Sequence, residues 1–406
     1  MKRNIITIIF IFISCVIFPQ NPGEVFPEWQ EGEMEIHHIF TGGGESVFCI
    51  LPDGTTLLID AGDTGTHVDP RKTPISPNDS RNPGEWIARY IMNRLNSKEK
   101  KIDYALLTHF HDDHMGSVYD NSKKTSKGGD YYLSGITEVY EYVPYSKMID
   151  RDWPSYKYPM QIGGKGFDNY KNFLNWNIDN SGLIVERFKA GTNKQFTLVN
   201  NPEKYPEFEI RNIVTNGEVW TGIGDRAKKK IPEGELVDEN KCSAGIRISY
   251  GDFDYFNGGD ITGRLSLGTE LWKDIETPVG RALGIVEVCE ANHHGWIDAM
   301  NENFLNLVKP QIIVAQINHV THFNLSVLYS MVNKAINPNI KHIIPTNIPE
   351  ISRAYYGVEE LKKITGEGGH VVIKVIPGGK QYSVFLLTTE NESFRIKSIY
   401  GPFLSH

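Results

Sequence analysis

The sequence predicts an α/β fold in which strands and helices form layers. Apolar runs at 35–39, 47–51 and 55–59 are separated by short turns and are typical of paired strands. Apolar residues then recur at helical spacing over 86–95, and another apolar run follows at 104–107. This order of strands, helix and strand indicates a layered α/β architecture.

Further strands are predicted along the rest of the chain, and polar residues stand where several of them end. The predicted strands are 195–199, 207–214, 245–250, 285–289, 310–315, 369–375 and 382–388. A helix is predicted from Asp260 to about Lys273. Open α/β sheets place their sites at strand ends, so we expect these polar residues to converge.

The most informative stretch is the H-x-H-x-D-H motif at 109–114, which follows the run 104–107. Strand residues two apart share a face, so His109 and His111 are expected to point the same way. The chain must then turn, and Asp113 and His114 are expected at the start of a helix that begins near Met115. This geometry would serve two metal ions, as a dinuclear hydrolytic site requires.

Length and charge set wide limits on the protein. Its 406 residues fit one elaborated domain or two. With 42 basic and 50 acidic residues the formal charge is -8, which gives no general attraction to nucleic acid or anionic membranes. Basic runs near 98–101 and 226–230 are candidates for a local groove, although such runs are usually solvated faces.

The N-terminus is typical of an export signal. Two basic residues precede an apolar stretch, 5–18, that is too short to span a bilayer comfortably. We therefore predict a signal peptide at 1–20, a linker at 21–34 and a secreted or periplasmic protein. Lipidation of Cys15 is an open alternative, and that anchor would be the protein's contact with a membrane. For the other cysteines we expect buried free thiols, with one disulfide left open; they are Cys49, Cys242 and Cys289.

At its polar motifs the chain resembles the metallo-β-lactamase superfamily. The cluster 109–114 is that family's defining motif, and Asp60, Asp260 and His294 match its other site positions in the same order. The resemblance implies a four-layered αββα sandwich over 35–406. The aromatic-rich segment at about 120–190 is interpreted as an insertion, either one that walls the site or a lid with a small core of its own.

Within the superfamily, the chain is most similar to the hydrolase domain of the bacterial competence DNA-uptake channel and to secreted phosphodiesterase-like relatives. Four elements carry this similarity: Gly42 to Ser46 for G-x-G-D-S, Asn240 with Ser243 for N-x-x-S, His293-His294-Gly295 for H-H-G, and Thr321-His322-Phe323 for G-H-P. Two departures from the pattern are Glu45 in place of aspartate and Phe323 in place of proline.

The resemblance implies two divalent ions, with zinc expected and manganese left open. Its second ion would be bound by Asp113, His114, His294 and the bridging Asp260. Its first ion would be bound by His109, His111, Asp260 and solvent, with help from Asn240. No histidine lies between His114 and Asp260, so the first ion is expected to bind more weakly or to tolerate manganese.

Other residues are expected to support the chemistry. Asp113 would orient the attacking hydroxide, and His322 would donate a proton or contact a phosphate, with a plain loop histidine as the alternative. Asp60 would fix a ligand histidine. Of the neighbours His293 and His294, His294 is the expected ligand and His293 would support it or contact substrate, with the reverse assignment left open. The segment that holds Glu45 and Ser46 is either an anion cradle or a glycine-rich turn. Ser243, like Asn240, would support the site or contact substrate.

A hydroxide between two divalent ions is a nucleophile at neutral pH. We therefore expect hydrolysis of a phosphodiester or related ester, either a small molecule or part of the cell envelope. Nucleic acid is not favoured as a substrate, because the chain is acidic. The alternatives are a β-lactam or lactone hydrolase and a non-catalytic metal-binding module of the same fold. The oligomeric state stays open.

Overall fold

A computed structural model describes residues 20–65, 71–95, 100–366 and 368–406. The predicted signal sequence up to residue 19, and with it Cys15, lies outside the described residues. Two large sheets dominate the molecule. In spatial order they are β17-β16-β15-β1-β2-β3-β4-β5-β6 and β14-β13-β12-β11-β10-β7-β8-β9, with strands and helices numbered along the chain.

The strands of the described residues are β1 Met34–His38, β2 Val47–Ile50, β3 Thr56–Ile59, β4 Ile102–Leu107, β5 Tyr145–Asp150, β6 Ile184–Arg187, β7 Phe208–Thr215, β8 Glu218–Trp220, β9 Ala227–Lys229, β10 Gly245–Tyr250, β11 Phe253–Asn257, β12 Val288–Glu290, β13 Ile312–Ala315, β14 His342–Pro345, β15 His370–Val375, β16 Gln381–Leu387 and β17 Ile396–Leu404. The helices are α1 Pro83–Arg94, α2 Asp112–Met115, α3 Gly135–Tyr142, α4 Lys165–Ser181, α5 Glu276–Leu283, α6 Glu302–Val308, α7 Leu325–Val332, α8 Glu350–Tyr356 and α9 Val358–Leu361.

Three buried apolar clusters define the layers. Successive residues of a strand point to opposite faces, so Leu106 enters the core between the two sheets while Leu107 enters the core under α1, α3 and α4. In the second sheet Val288 likewise faces the central core, and Cys289 faces the core under α5, α6 and α7. Helices therefore cover both outer faces, which confirms the predicted αββα sandwich.

The strands that carry the site run parallel. β3 pairs with β4, and β4 with β5, in parallel register, and β11, β12 and β13 form a parallel group in the other sheet. Their carboxyl ends therefore meet along one edge of the sandwich. This arrangement brings the segments after β3, β4, β11, β12 and β13 together.

Two predicted elements are wrong, and several strands, β17 among them, were not predicted. No strand forms at 195–199, where the side chain of Gln195 instead bonds to Glu186 and the backbone of Lys189. No α-helix follows Asp260 directly, and α5 begins only at Glu276. The strand β17 escaped prediction because Gly401 and Pro402 interrupt its apolar pattern.

The aromatic-rich segment 120–190 belongs to the main body of the fold. Its strands β5 and β6 extend the first sheet, and its aromatic side chains lie in the same buried cluster as residues of β4 and α1. The alternative of a lid with its own small core is therefore wrong.

The N-terminal segment and the cysteines complete the description. In the segment 21–34, Phe26 is buried and its N–H donates to the carbonyl of Phe394, so this part lies on the sheet. Cys49, Cys242 and Cys289 are buried free thiols, as expected. Among the helices of the described residues, none has the length and apolar character needed to cross a membrane.

Candidate metal centre

The H-x-H-x-D-H motif spans the loop after β4 and most of the single turn of α2. His109 and His111 follow the strand end, and His109 Nε2 lies 3.1 Å from His111 Nδ1. The helix α2 begins at Asp112 rather than near Met115, so Asp113 and His114 lie inside its single turn. The motif therefore presents its imidazoles to one small volume.

Asp60 fixes the orientation of His114. Its backbone has φ 57, a left-handed conformation that aspartate tolerates better than most residues. Its carboxylate accepts hydrogen bonds from the N–H and hydroxyl of Thr108, at 2.8 and 2.6 Å, and from His114 Nδ1 at 2.7 Å. With Nδ1 occupied in this way, His114 Nε2 is left to face the centre.

Asp260 lies between the two groups of histidines. Its Oδ2 is 3.6 Å from His109 Nε2, and its Oδ1 is 3.2 Å from His114 Nε2 and 3.7 Å from His294 Nε2. Gly259 before it permits this approach, because a Cβ at Gly259 would lie 2.9 Å from Thr108 Cβ. The two carboxylate oxygens of Asp260 thus lie close to different sets of histidine nitrogens.

His294 joins Asp113 and His322 on the other side of the centre. Its Nε2 lies 3.3 Å from both His114 Nε2 and Asp113 Oδ2, while its Nδ1 donates to the carbonyl of Gln316 at 2.9 Å. The ring of His322 stacks on that of His294, with centroids 4.3 Å apart and planes at 6°. The structure therefore places His322 beside the centre, against His294.

This packing forms three groups of potential ligand atoms. Within each group, all the atoms lie within 4.8 Å of one another. They are Glu45, His114, Asp260 and His294; His109, His111 and Asp260; and Asp113, His294 and His322. Asp260 Oδ1 is buried and has no hydrogen-bond partner. Imidazole nitrogens and carboxylate oxygens at this spacing are the donor set of Zn²⁺ and related divalent ions, so these residues fit the expected metals.

The glycine-rich turn 42–46 packs against the segment 109–114, which is called the ligand loop below, and supports it from outside. The N–H of Glu45 donates to the carbonyl of Asp113 at 2.7 Å, and a Cβ at Gly44 would lie only 2.2 Å from that oxygen. The N–H of Ser46 donates to the side chain of Gln316. Since these two N–H groups are already used, the turn holds the loop rather than cradling an anion through them.

Asn240 and Ser243 each contact a predicted site residue. Ser243 Oγ accepts the N–H of Asp260 at 3.1 Å, and Asn240 Nδ2 donates to His293 Nε2, also at 3.1 Å. His293 is thereby placed beside the centre, with its Nε2 3.8 Å from Asp260 Oδ2.

Burial and neighbouring charges set the protonation of the carboxyl groups. Burial raises the pKa of Glu45 well above its ordinary value, and the nearby Glu290 adds to this effect. Burial also opposes ionisation of Asp113, but the hydrogen bond with His294 and the charges of His114 and His294 outweigh it and hold its pKa well below the ordinary range. Asp113 is therefore an ionised acceptor, as a metal ligand or hydroxide-orienting group must be.

Four polar residues at the centre were not anticipated. Glu290 accepts a hydrogen bond from Gln316, Asn318 Nδ2 donates to Asp113 at 3.2 Å, and Asp298 accepts from His293. Three of them, Glu290, Gln316 and Asn318, stand at or just after the ends of apolar strands. A polar residue at the end of an apolar strand was the sequence signal that could have identified these three residues, because the same signal identified Asp60.

Comparison with known proteins agrees with this description over part of the chain. Residues 40–132 match the family model of the metallo-β-lactamase superfamily, a region that includes the H-x-H-x-D-H motif. The "UPF0173 metal-dependent hydrolase" of Staphylococcus carnosus (strain TM300) is 32% identical over 80 residues, which are 20% of this chain. The match spans 31%, about a third, of that relative.

Solved structures with detectable similarity include two enzymes. Igni18, a metallo hydrolase from the archaeon Ignicoccus hospitalis, has a TM-score of 0.35 at 11% identity, with 87% of this chain and 98% of that chain covered. The short form of human tRNase Z has a TM-score of 0.32 at 8% identity, with coverage of 77% and 91%. Residues 40–132 of this chain are therefore similar to the metallo-β-lactamase superfamily, and the two-sheet architecture is consistent with the fold of that family.

Proposed function

We propose that the protein is a metal-dependent hydrolase that cleaves a phosphodiester or a related ester outside the cytoplasm. The proposal rests on a single observation, the position of Asp260. Its two buried carboxylate oxygens lie close to two different sets of histidines. A carboxylate in this position suits two ions a few ångströms apart, which is the arrangement of many hydrolases of phosphate esters.

When bound, such ions supply an activated water molecule and neutralise the charge that develops on the phosphoryl oxygens. The protein's own residues orient the reactants. Asp113 is ionised and is held by Asn318, so its carboxylate can accept a hydrogen bond from the attacking water. His322 is stacked on His294, and burial lowers its pKa well below the ordinary value, so we assign it contact with the phosphate rather than proton donation.

Three further points support the proposal. The Staphylococcus carnosus relative is named as a metal-dependent hydrolase, and the competence-type motifs favour a phosphodiester over a β-lactam. The imidazole-rich donor set favours zinc, although the carboxylates also suit manganese. The apolar segment 5–18 favours export, with a cell-envelope ester as one class of substrate.

The test compares three substrates on apoprotein reconstituted with Zn²⁺ or Mn²⁺: bis-p-nitrophenyl phosphate, nitrocefin and a lactone. We expect metal-dependent cleavage of the diester. Asp260→Ala should lower kcat/KM by more than about 100-fold, since changes behind metal ligands already cost about 10–100-fold. The control is His342→Gln, which alters a histidine that packs against Tyr400 and Phe403.

Each outcome has a defined meaning. Turnover of nitrocefin or the lactone alone would favour the lactam or lactone hydrolase. Bound metal without turnover of any of the three substrates would favour the non-catalytic module. Diester cleavage that survives Asp260→Ala would contradict the assigned role of this carboxylate.

A further inference from the structure

We infer that His293 is the remaining protein ligand of the first metal position, beside His109, His111 and Asp260. This inference rests on the proposed function, and it concerns the position for which the sequence offers no additional histidine between His114 and Asp260.

The first argument is distance. His293 Nε2 lies 3.8 Å from Asp260 Oδ2, the same oxygen that is 3.6 Å from His109 Nε2. Ligand atoms at the corners of a tetrahedron with bonds of about 2.0 Å are about 3.3 Å apart. His293 is not within the 4.8 Å group formed by His109, His111 and Asp260, so its ring must move closer to complete the set.

The second argument is the tautomer. His293 Nδ1 donates to the carboxylate of Asp298 at 2.7 Å, and Asn240 Nδ2 donates to His293 Nε2. With the Asn240 amide in this orientation, Nε2 is the acceptor nitrogen, and its lone pair is directed away from Asp298. A carboxylate behind an imidazole is the usual support of a metal-binding histidine, because it fixes the ring and raises its basicity.

The third argument is the backbone. His293 and the neighbouring His294 both have left-handed conformations, with φ 47 and 53. Such conformations are uncommon for residues other than glycine, and they concentrate at functional sites. Here they turn two consecutive imidazoles toward opposite oxygens of Asp260: His293 Nε2 lies 3.8 Å from Oδ2, and His294 Nε2 lies 3.7 Å from Oδ1.

The environment also leaves polar atoms without partners. Asn240 Oδ1 is buried and has no hydrogen bond, although Asn240 Nδ2 contacts His293. An ion at the first position would replace Asn240 as the partner of His293 Nε2 and would free the Asn240 amide to turn. A purely structural histidine would not require an acceptor nitrogen beside a buried carboxylate.

The test measures Zn²⁺ binding to apoprotein by equilibrium dialysis and follows Co²⁺ binding by visible absorption. His293→Gly is the principal variant, because glycine accepts φ 47 and removes the imidazole completely. We expect wild type to bind two ions. The variant should keep one tight site and lose about 100-fold or more at the other, and added imidazole should restore the second site.

A second variant and a control complete the experiment. Asp298→Asn should weaken the same site by about 10–100-fold without removing the ligand, and His342→Gly should leave both sites unchanged. Equal binding of Zn²⁺ by wild type and His293→Gly would overturn the inference. Absence of any bound ion in wild type would instead overturn the proposed function.

Discussion

Each histidine assigned to the second metal position has its outward ring nitrogen fixed by an oxygen. His114 Nδ1 donates to Asp60, and His294 Nδ1 donates to the carbonyl of Gln316. Because these oxygens hold a proton on one nitrogen of each ring, the other nitrogen is the one that would bind a metal ion. The oxygens behind the ligands are therefore as important to metal affinity as the distances between the ligands.

Asp60→Asn tests this point at the scale of one residue. Asparagine tolerates φ 57 and can still accept from Thr108, but its amide cannot both do so and accept from His114 Nδ1 at full strength. We expect zinc affinity to fall by about 10–100-fold in a chelator competition assay.

A matched control exists elsewhere in the same sheet. The carboxylate of Asp103 accepts from the N–H and hydroxyl of Thr56, as Asp60 does from Thr108, but no histidine hydrogen bond to it is found among the described residues. Asp103→Asn should therefore leave zinc affinity unchanged. Similar losses in the two variants would show that the effect is structural rather than specific to His114.

At the scale of elements, a buried ion pair joins the aromatic-rich segment to the ligand loop. Arg151 follows β5, its side chain has no exposed surface, and two of its nitrogens donate to Glu239 at 2.8 and 2.6 Å. Glu239 also accepts the N–H of Phe110, which lies between His109 and His111. The segment thus supports the ligand loop from behind.

Arg151→Met should destabilise the protein by about 3–5 kcal/mol, because it leaves the Glu239 carboxylate buried without its partner. Urea unfolding measures this change. Arg89→Met is the control: its ion pair with Glu392 joins two side chains that are 37% and 36% exposed, so its removal should cost less than about 1 kcal/mol. Equal effects of the two substitutions would contradict the role assigned to the buried pair.

At the scale of the whole molecule, the sandwich brings together residues that are far apart in sequence. The carboxyl ends of β3 and β4 meet those of β11, β12 and β13, so Asp60 and His114 come to lie beside Asp260 and His294. The strand ends were predictable because apolar runs have a clear period and end at polar residues.

Contacts that depend on the fold could not be predicted in the same way. The role of Asp298 depends on the left-handed backbone conformation of His293, which no sequence pattern predicts. The segment 195–199 has the composition of a strand, but the side chain of Gln195 bonds instead to Glu186 of β6 and to the backbone of Lys189. Local motifs therefore identified the candidate ligands, while tertiary packing determined the groups that hold them.

Anomalous X-ray diffraction from crystals of the zinc-loaded protein tests the central claim most directly. The account predicts two zinc peaks about 3.5–4 Å apart, one on each side of the Asp260 carboxylate. A single peak, or two peaks that do not share Asp260, would contradict it.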